Sequence, residues 1–69
     1  MLRTAILGLG EVAQWHKTAI ESTPNTALTA VADIDSQQVE RAASVWGVSG
    51  YTDPHRLLAT EAVDWVHVC

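Results

Sequence analysis

The chain has 69 residues, room for one domain at most, and a domain this small buries only about 60% of its unfolded surface. Eight acids against four bases give a net charge of -4, which argues against nucleic acid or an anionic membrane as a partner. No apolar run is long enough to span a bilayer, and Met1-Leu2-Arg3 leads straight into a strand with no room for a signal peptide. The single cysteine, Cys69, excludes an internal disulfide framework, so a cytoplasmic location is the expectation.

Arg3 to Leu7 reads as a short buried strand, because Ala5, Ile6 and Leu7 are consecutive and apolar. Glu11 to about Ser22 reads as a helix, with Glu11 in the first turn where an acid suits the dipole. Val12, His16 and Ala19 form its predicted inward face, with Ala13 and Ile20 beside them and Trp15 toward the edge. Thr23-Pro24-Asn25 ends it. Ala27 to Ala32 reads as a second buried strand, closed by Asp33. Asp35 or Ser36 can cap the next helix, whose Val39, Ala42, Ala43 and Trp46 make an amphipathic stripe ending at Gly47. Val48 to Tyr51 is a weak strand. Asp53-Pro54 reads as a cap followed by proline at the first helical position, and a short helix runs through Leu57 and Leu58. Val63 to Cys69 is the last strand. Strands alternating with helices predict an α/β fold: a partial, truncated Rossmann fold, β-α-β-α-β-α-β, with a parallel sheet in the order 3-2-1-4. Trp15, Trp46 and Trp65 are expected to pack in the core or between helix and sheet, and His55 to face solvent.

Gly8, Gly10 and Ala13 lie where the first strand becomes the first helix, and Asp33 follows Gly10 by 23 residues at the end of the second strand. This is the G-x-G-x-x-G/A dinucleotide fingerprint with its distant acid. Gly8 permits the tight turn, Gly10 lets a pyrophosphate approach the backbone, and Ala13 lets the helix lie close on the sheet. Phosphates would then meet unpaired N–H groups at the helix start, with Glu11 and Val12 offering theirs. The expected cofactor-binding set is Gly8, Leu9, Gly10, Glu11, Val12, Ala13, Asp33, Ile34 and Cys69. A carboxylate at Asp33 accepts from ribose hydroxyls and repels a 2′-phosphate, and residues 34 to 38 hold no Arg or Lys to offset it. NAD is therefore expected over NADP. His16 reads more simply as a hydrogen-bonded packing residue than as a catalytic one. His67 reads as a wall of the nucleotide cleft or a packed residue. No metal site and no catalytic residue is expected, and Cys69 has no visible activating base.

The chain resembles the N-terminal end of the Gfo/Idh/MocA oxidoreductases. Arg3 to Gly10 is similar to that family's opening strand and turn, and Ala13 followed by His16 to its A-x-x-H helix start. Ala30-Val31-Ala32-Asp33 with Asp35 resembles its second strand, Trp46-Gly47-Val48 and Tyr51-Thr52-Asp53 its G-V-x-x-Y-T-D segment, and Asp64 to Cys69 its fourth strand. The resemblance implies an incomplete dinucleotide-binding domain over residues 1–69. The family's Thr-Pro, Glu-Lys-Pro and Asp/His motifs and its substrate domain would lie beyond Cys69. It also implies a homo-oligomeric parent that oxidises CH–OH groups of sugars, inositols or similar polyols. A non-catalytic NAD-binding regulatory module and an inactive truncated product are the rival expectations.

Overall fold

The computed structural model describes residues 1–69. The elements run β1 (Leu2–Leu7), α1 (Ala13–Ser22), β2 (Thr26–Ala32), α2 (Ser36–Trp46), β3 (Ser49–Tyr51), α3 (Pro54–Thr60) and β4 (Trp65–Val68). All strand pairs are parallel, in the order β3-β2-β1-β4. The chain steps outward from β1 through β2 to β3, then returns to the other side of β1. That reversal makes the carboxyl ends of β1 and β4 the topological switch point, the place where open α/β sheets bind ligands.

Side chains alternate across β1, so Ile6 enters one face and Ala5 the other. Ile6, Leu9, Ala13, Ile20, Val31, Val39 and Ala42 form the core under α1 and α2, with Leu28, Trp46 and Val48 against it. Ala5, Ala30, Ala32 and Leu57 form a smaller core under α3. Leu28 and Val31 share a face although three residues apart, which a regular strand forbids. The register slips between Thr4 and Ala5, leaving Thr29 without a partner: a bulge restores Leu28 to the larger core. Buried Thr4 stays satisfied by donating to the Ala27 carbonyl at 2.7 Å.

Helix α1 departs from expectation. It begins at Ala13, and Glu11 lies in the preceding turn rather than in the first helical turn. Ala13 and Ile20 are buried, His16 and Lys17 half-buried, and Val12 and Ala19 exposed. The inward face is thus rotated toward α2. Lys17 is accommodated there because its stem lies beside Trp46, with Nζ 5.6 Å from the ring centre, while its ammonium meets Glu21 at 2.9 Å. Trp46 packs as expected, but Trp15 and Trp65 are 77% and 59% exposed and do not. Trp65 instead lines an open cavity between β4 and α1, together with Ala19 and Ile20.

The caps follow local chemistry. The carboxylate of Asp35, rather than Ser36, accepts from the Gln37 and Gln38 amides, and Gly47 takes the left-handed conformation that ends α2. The carboxylate of Asp53 accepts from the His55 amide at 2.9 Å, ahead of Pro54. Exposed His55 follows expectation. Gly50 lets α2 press on β3, since a Cβ there would stand 2.6 Å from Val39 Cγ1 and 3.1 Å from Ala43 Cβ. Gly50→Ala should therefore destabilise the fold by about 1–3 kcal/mol through overpacking, measured by urea denaturation. A wild-type midpoint would show that α2 yields at no cost.

Candidate functional site

The turn from β1 to α1 carries most of the expected site. Gly8 has φ +99°, a conformation that L side chains rarely adopt. Its N–H donates to the Ala32 carbonyl at 2.8 Å. A Cβ on Gly8 would lie 2.9 Å from the Cys69 carbonyl oxygen, whose own residue is tied back to β1 by its N–H donating to Leu7 at 2.9 Å. Gly8 therefore serves the junction of β1, β2 and the end of β4.

Gly10 differs. No atom lies within 4 Å of the position a Cβ would take, and the space beside its backbone is open. Its carbonyl accepts from Ala13 at 3.0 Å, closing the turn. The amides of Gly10, Glu11 and Val12 donate to no protein group. Glu11 and Val12 are exposed, and Ala13, 2% exposed, lets the helix start close on the sheet. Three free N–H groups at a helix start form a concavity suited to an anion.

Asp33 stands beside this turn at the end of β2. Its Oδ2 accepts from the Leu9 amide at 2.7 Å and its Oδ1 from the Asp35 amide at 2.9 Å. The Asp35 amide first, then that of Leu9, with a further contribution from Ile34, hold the Asp33 carboxyl below its ordinary value of 3.8, against desolvation, which pushes it up. The folded value is the lower one, so these bonds contribute stability above about pH 3.8 and lose it as pH falls through the lowered value. Ile34 is 90% exposed at the same edge. Leu9 is buried, and its amide is engaged by Asp33, so its side chain anchors the turn from below.

Cys69 is exposed at the end of β4, and desolvation of its thiol pushes its pKa up, so the sulfur is not activated. His67, two residues earlier, meets His16 with the two Nδ1 atoms 3.0 Å apart and the rings edge to face. One ring donates and the other accepts. His16 is thus a hydrogen-bonded packing residue, and His67 is its partner. Nothing in the sequence links the two histidines; only the β1–β4 register brings them together. No third His, Cys, Asp or Glu completes a metal-holding group with them. A cavity of about 230 Å³ lies at the opposite, amino end of β1 and β2, lined by Leu2, Thr4, Ile20, Thr26, Trp65 and His67. The carboxyl edge is an open cradle by contrast.

The Gfo/Idh/MocA model, described as the oxidoreductase family with an NAD-binding Rossmann fold, matches residues 2–69. No curated protein sequence matches the chain. Among solved structures, myo-inositol 2-dehydrogenase from Lactobacillus plantarum is similar at 30% identity and a TM-score of 0.83, over 97% of this chain and 20% of that one. The WlbA dehydrogenase from Chromobacterium violaceum, in complex with NADH and UDP-GlcNAcA, is similar at 29% identity and 0.88, over 97% and 20%. A variant 3-ketoreductase from Actinomadura kijaniata, in complex with TDP-benzene and NADP, is similar at 28% and 0.80, over 97% and 22%. The chain spans about a fifth of the length of the solved structures it matches.

The two glycines of the turn should respond differently to alanine. Gly8→Ala meets both the strained φ and the Cys69 carbonyl and should lose about 1–3 kcal/mol of stability. Gly10→Ala should stay within about 0.5 kcal/mol of wild type. Chemical denaturation of both variants checks this, and equal losses would refute the division of roles.

Proposed function

The chain belongs to the Gfo/Idh/MocA oxidoreductase family with its NAD-binding Rossmann fold, and from that premise we propose that it holds the cofactor of a dehydrogenase acting on CH–OH groups of sugars, inositols or similar polyols. The observation that carries the cofactor reading is the open backbone at Gly10 beside three unpartnered amides. A Cβ would fill that space, and the donors are of the type that receives a pyrophosphate. The residues present thus fit a dinucleotide.

Gly10, Glu11 and Val12 would hold the pyrophosphate by backbone N–H groups, with Ala13 keeping the helix close. Asp33 would accept from the adenosine ribose. Ile34 would lie along the adenosine side, and the backbone at Cys69 on the nicotinamide side. The bound dinucleotide would supply hydride transfer, and the protein orientation and electrostatics. The substrate class rests on the family and on similarity to an inositol dehydrogenase and to a dehydrogenase solved with a sugar nucleotide. The carboxyl edge of this chain presents no activated nucleophile and no free base other than the acids described. We therefore place proton transfer from the substrate hydroxyl in the rest of a longer parent and expect no turnover from these 69 residues alone.

NAD is the proposed cofactor over NADP, because the Asp33 carboxylate stands ionised at the ribose position and a 2′-phosphate would meet it with like charge. Calorimetric titration of the chain tests both points. NAD⁺ should bind at least tenfold more tightly than NADP⁺, a difference of about 1.4 kcal/mol, and Gly10→Ala should weaken NAD⁺ by a similar factor. Tighter NADP⁺ binding would reverse the preference. Equal NAD⁺ affinity in Gly10→Ala would remove the turn from the site.

A further inference from the structure

The geometry points to a role for Asp33 that precedes any cofactor: it is a positioning residue that sets the shape of the glycine turn. This inference rests on the reading of the turn as the cofactor site and adds how that site is kept in form.

Asp33 and Leu9 are 24 residues apart in sequence, yet their bond, at 2.7 Å, is as short as any side-chain bond to this turn. Gly8 donates to the Ala32 carbonyl and Leu9 to the Asp33 carboxylate, so two consecutive amides of the turn are tied to two consecutive residues at the end of β2. The Leu9 side chain is 6% exposed in the larger core. Its peptide is therefore fixed from below by packing and from the side by charge-assisted hydrogen bonding, the stronger kind. Immediately after it the paired backbone stops, and the Gly10, Glu11 and Val12 amides are left free. Asp33 thus marks where the donors of the turn change from internal use to availability.

Asp33 is itself held from two directions. Its second oxygen accepts from the Asp35 amide, and its own N–H donates to the Tyr51 carbonyl at 3.1 Å, one step beyond the β2–β3 ladder. The Tyr51 hydroxyl in turn donates to Glu61 at the end of α3. The Tyr51-Thr52-Asp53 run thereby acquires a physical role. Tyr51 supports Asp33 from behind, and Asp53 caps the helix that brings Glu61 into place. A ribose would meet a carboxylate already oriented by two amides, not a free side chain.

A residue that only discriminates between riboses and one that shapes the turn predict different outcomes. If Asp33 only accepts from the ribose and repels a 2′-phosphate, Asp33→Ala weakens NAD⁺ and strengthens NADP⁺. If it shapes the turn, both weaken, because the pyrophosphate donors are displaced whatever the ribose carries. We expect Asp33→Ala to weaken each at least tenfold and the Leu9 amide to exchange with solvent at least tenfold faster. Asp33→Asn, which keeps one acceptor oxygen, should fall between. Strengthened NADP⁺ with an unchanged Leu9 amide would overturn the inference.

A second measurement needs neither a variant nor a cofactor. The ionisable groups around Asp33 are Glu11 in the turn, Asp35 at the start of α2, Tyr51 at the end of β3 and Asp53 just beyond it. Asp35 and Asp53 direct their carboxylates to the Gln37, Gln38 and His55 amides instead. In an NMR pH titration of the wild-type chain, the Leu9 and Asp35 amide protons should move with one midpoint, that of the Asp33 carboxyl, below 3.8. Separate midpoints for Leu9 and Asp35 would overturn the inference. A wild-type chain that binds no NAD⁺ would instead remove the functional premise, and this titration would still decide whether Asp33 holds the Leu9 amide.

Discussion

The contact on which the carboxyl edge depends is the approach of the Gly8 backbone to the Cys69 carbonyl. Strand β1 must pair with β2 on one side and β4 on the other, and both pairings end within a residue of Gly8. Only a residue with no Cβ and a positive φ can leave the sheet at that point without striking the end of β4. Once the chain has turned there, Leu9 drops into the core, α1 starts over the sheet, and the following amides are left facing outward. These unpartnered donors are a by-product of how tightly three strands meet.

Much of this was legible in the sequence because it rests on local chemistry. The strand order follows from alternating elements and right-handed crossovers. The caps at Asp35 and Asp53 and the αL residue Gly47 are set by their own side chains. The glycine turn and Asp33 could be placed for the same reason. What escaped depends on tertiary placement. The rotation of α1 brings Lys17 Nζ over the Trp46 ring, a pairing between two helices that no periodicity reports. The bulge at Thr29 is visible only in the β1–β2 register, and it alone explains why Leu28 and Val31 share a core. Trp15 and Trp65 look like core residues by type but stand largely exposed, because residue type does not report where on its element a side chain falls. The His16–His67 contact needs the β4 register.

The chain carries a net charge of -4 and leaves three backbone N–H groups free at a helix start, which are compatible because the two act over different distances. Exposed charges are screened within about 8 Å at physiological salt. Three N–H groups at the helix start act at hydrogen-bond range, where screening is slight. Glu11 sits in that turn, but its side chain is exposed and screened by water. Asp33 is half-buried, and its charge is shared between the Leu9 and Asp35 amides. The acid nearest the cradle is thus partly neutralised by the same backbone that forms it.

That arrangement divides one turn into residues engaged by the fold and residues whose donors stay free. Gly8, Leu9 and Ala13 face the sheet and the core, and their replacement disturbs packing. Gly10, Glu11 and Val12 face outward with unsatisfied donors, and their backbone is free to meet a ligand. Asp33 belongs to both groups, since its carboxylate closes the inner part of the turn and still has lone pairs directed outward. A small domain with two modest cores has little stability in reserve. Having one acid at the end of β2 brace the turn keeps its shape without a further element to support it.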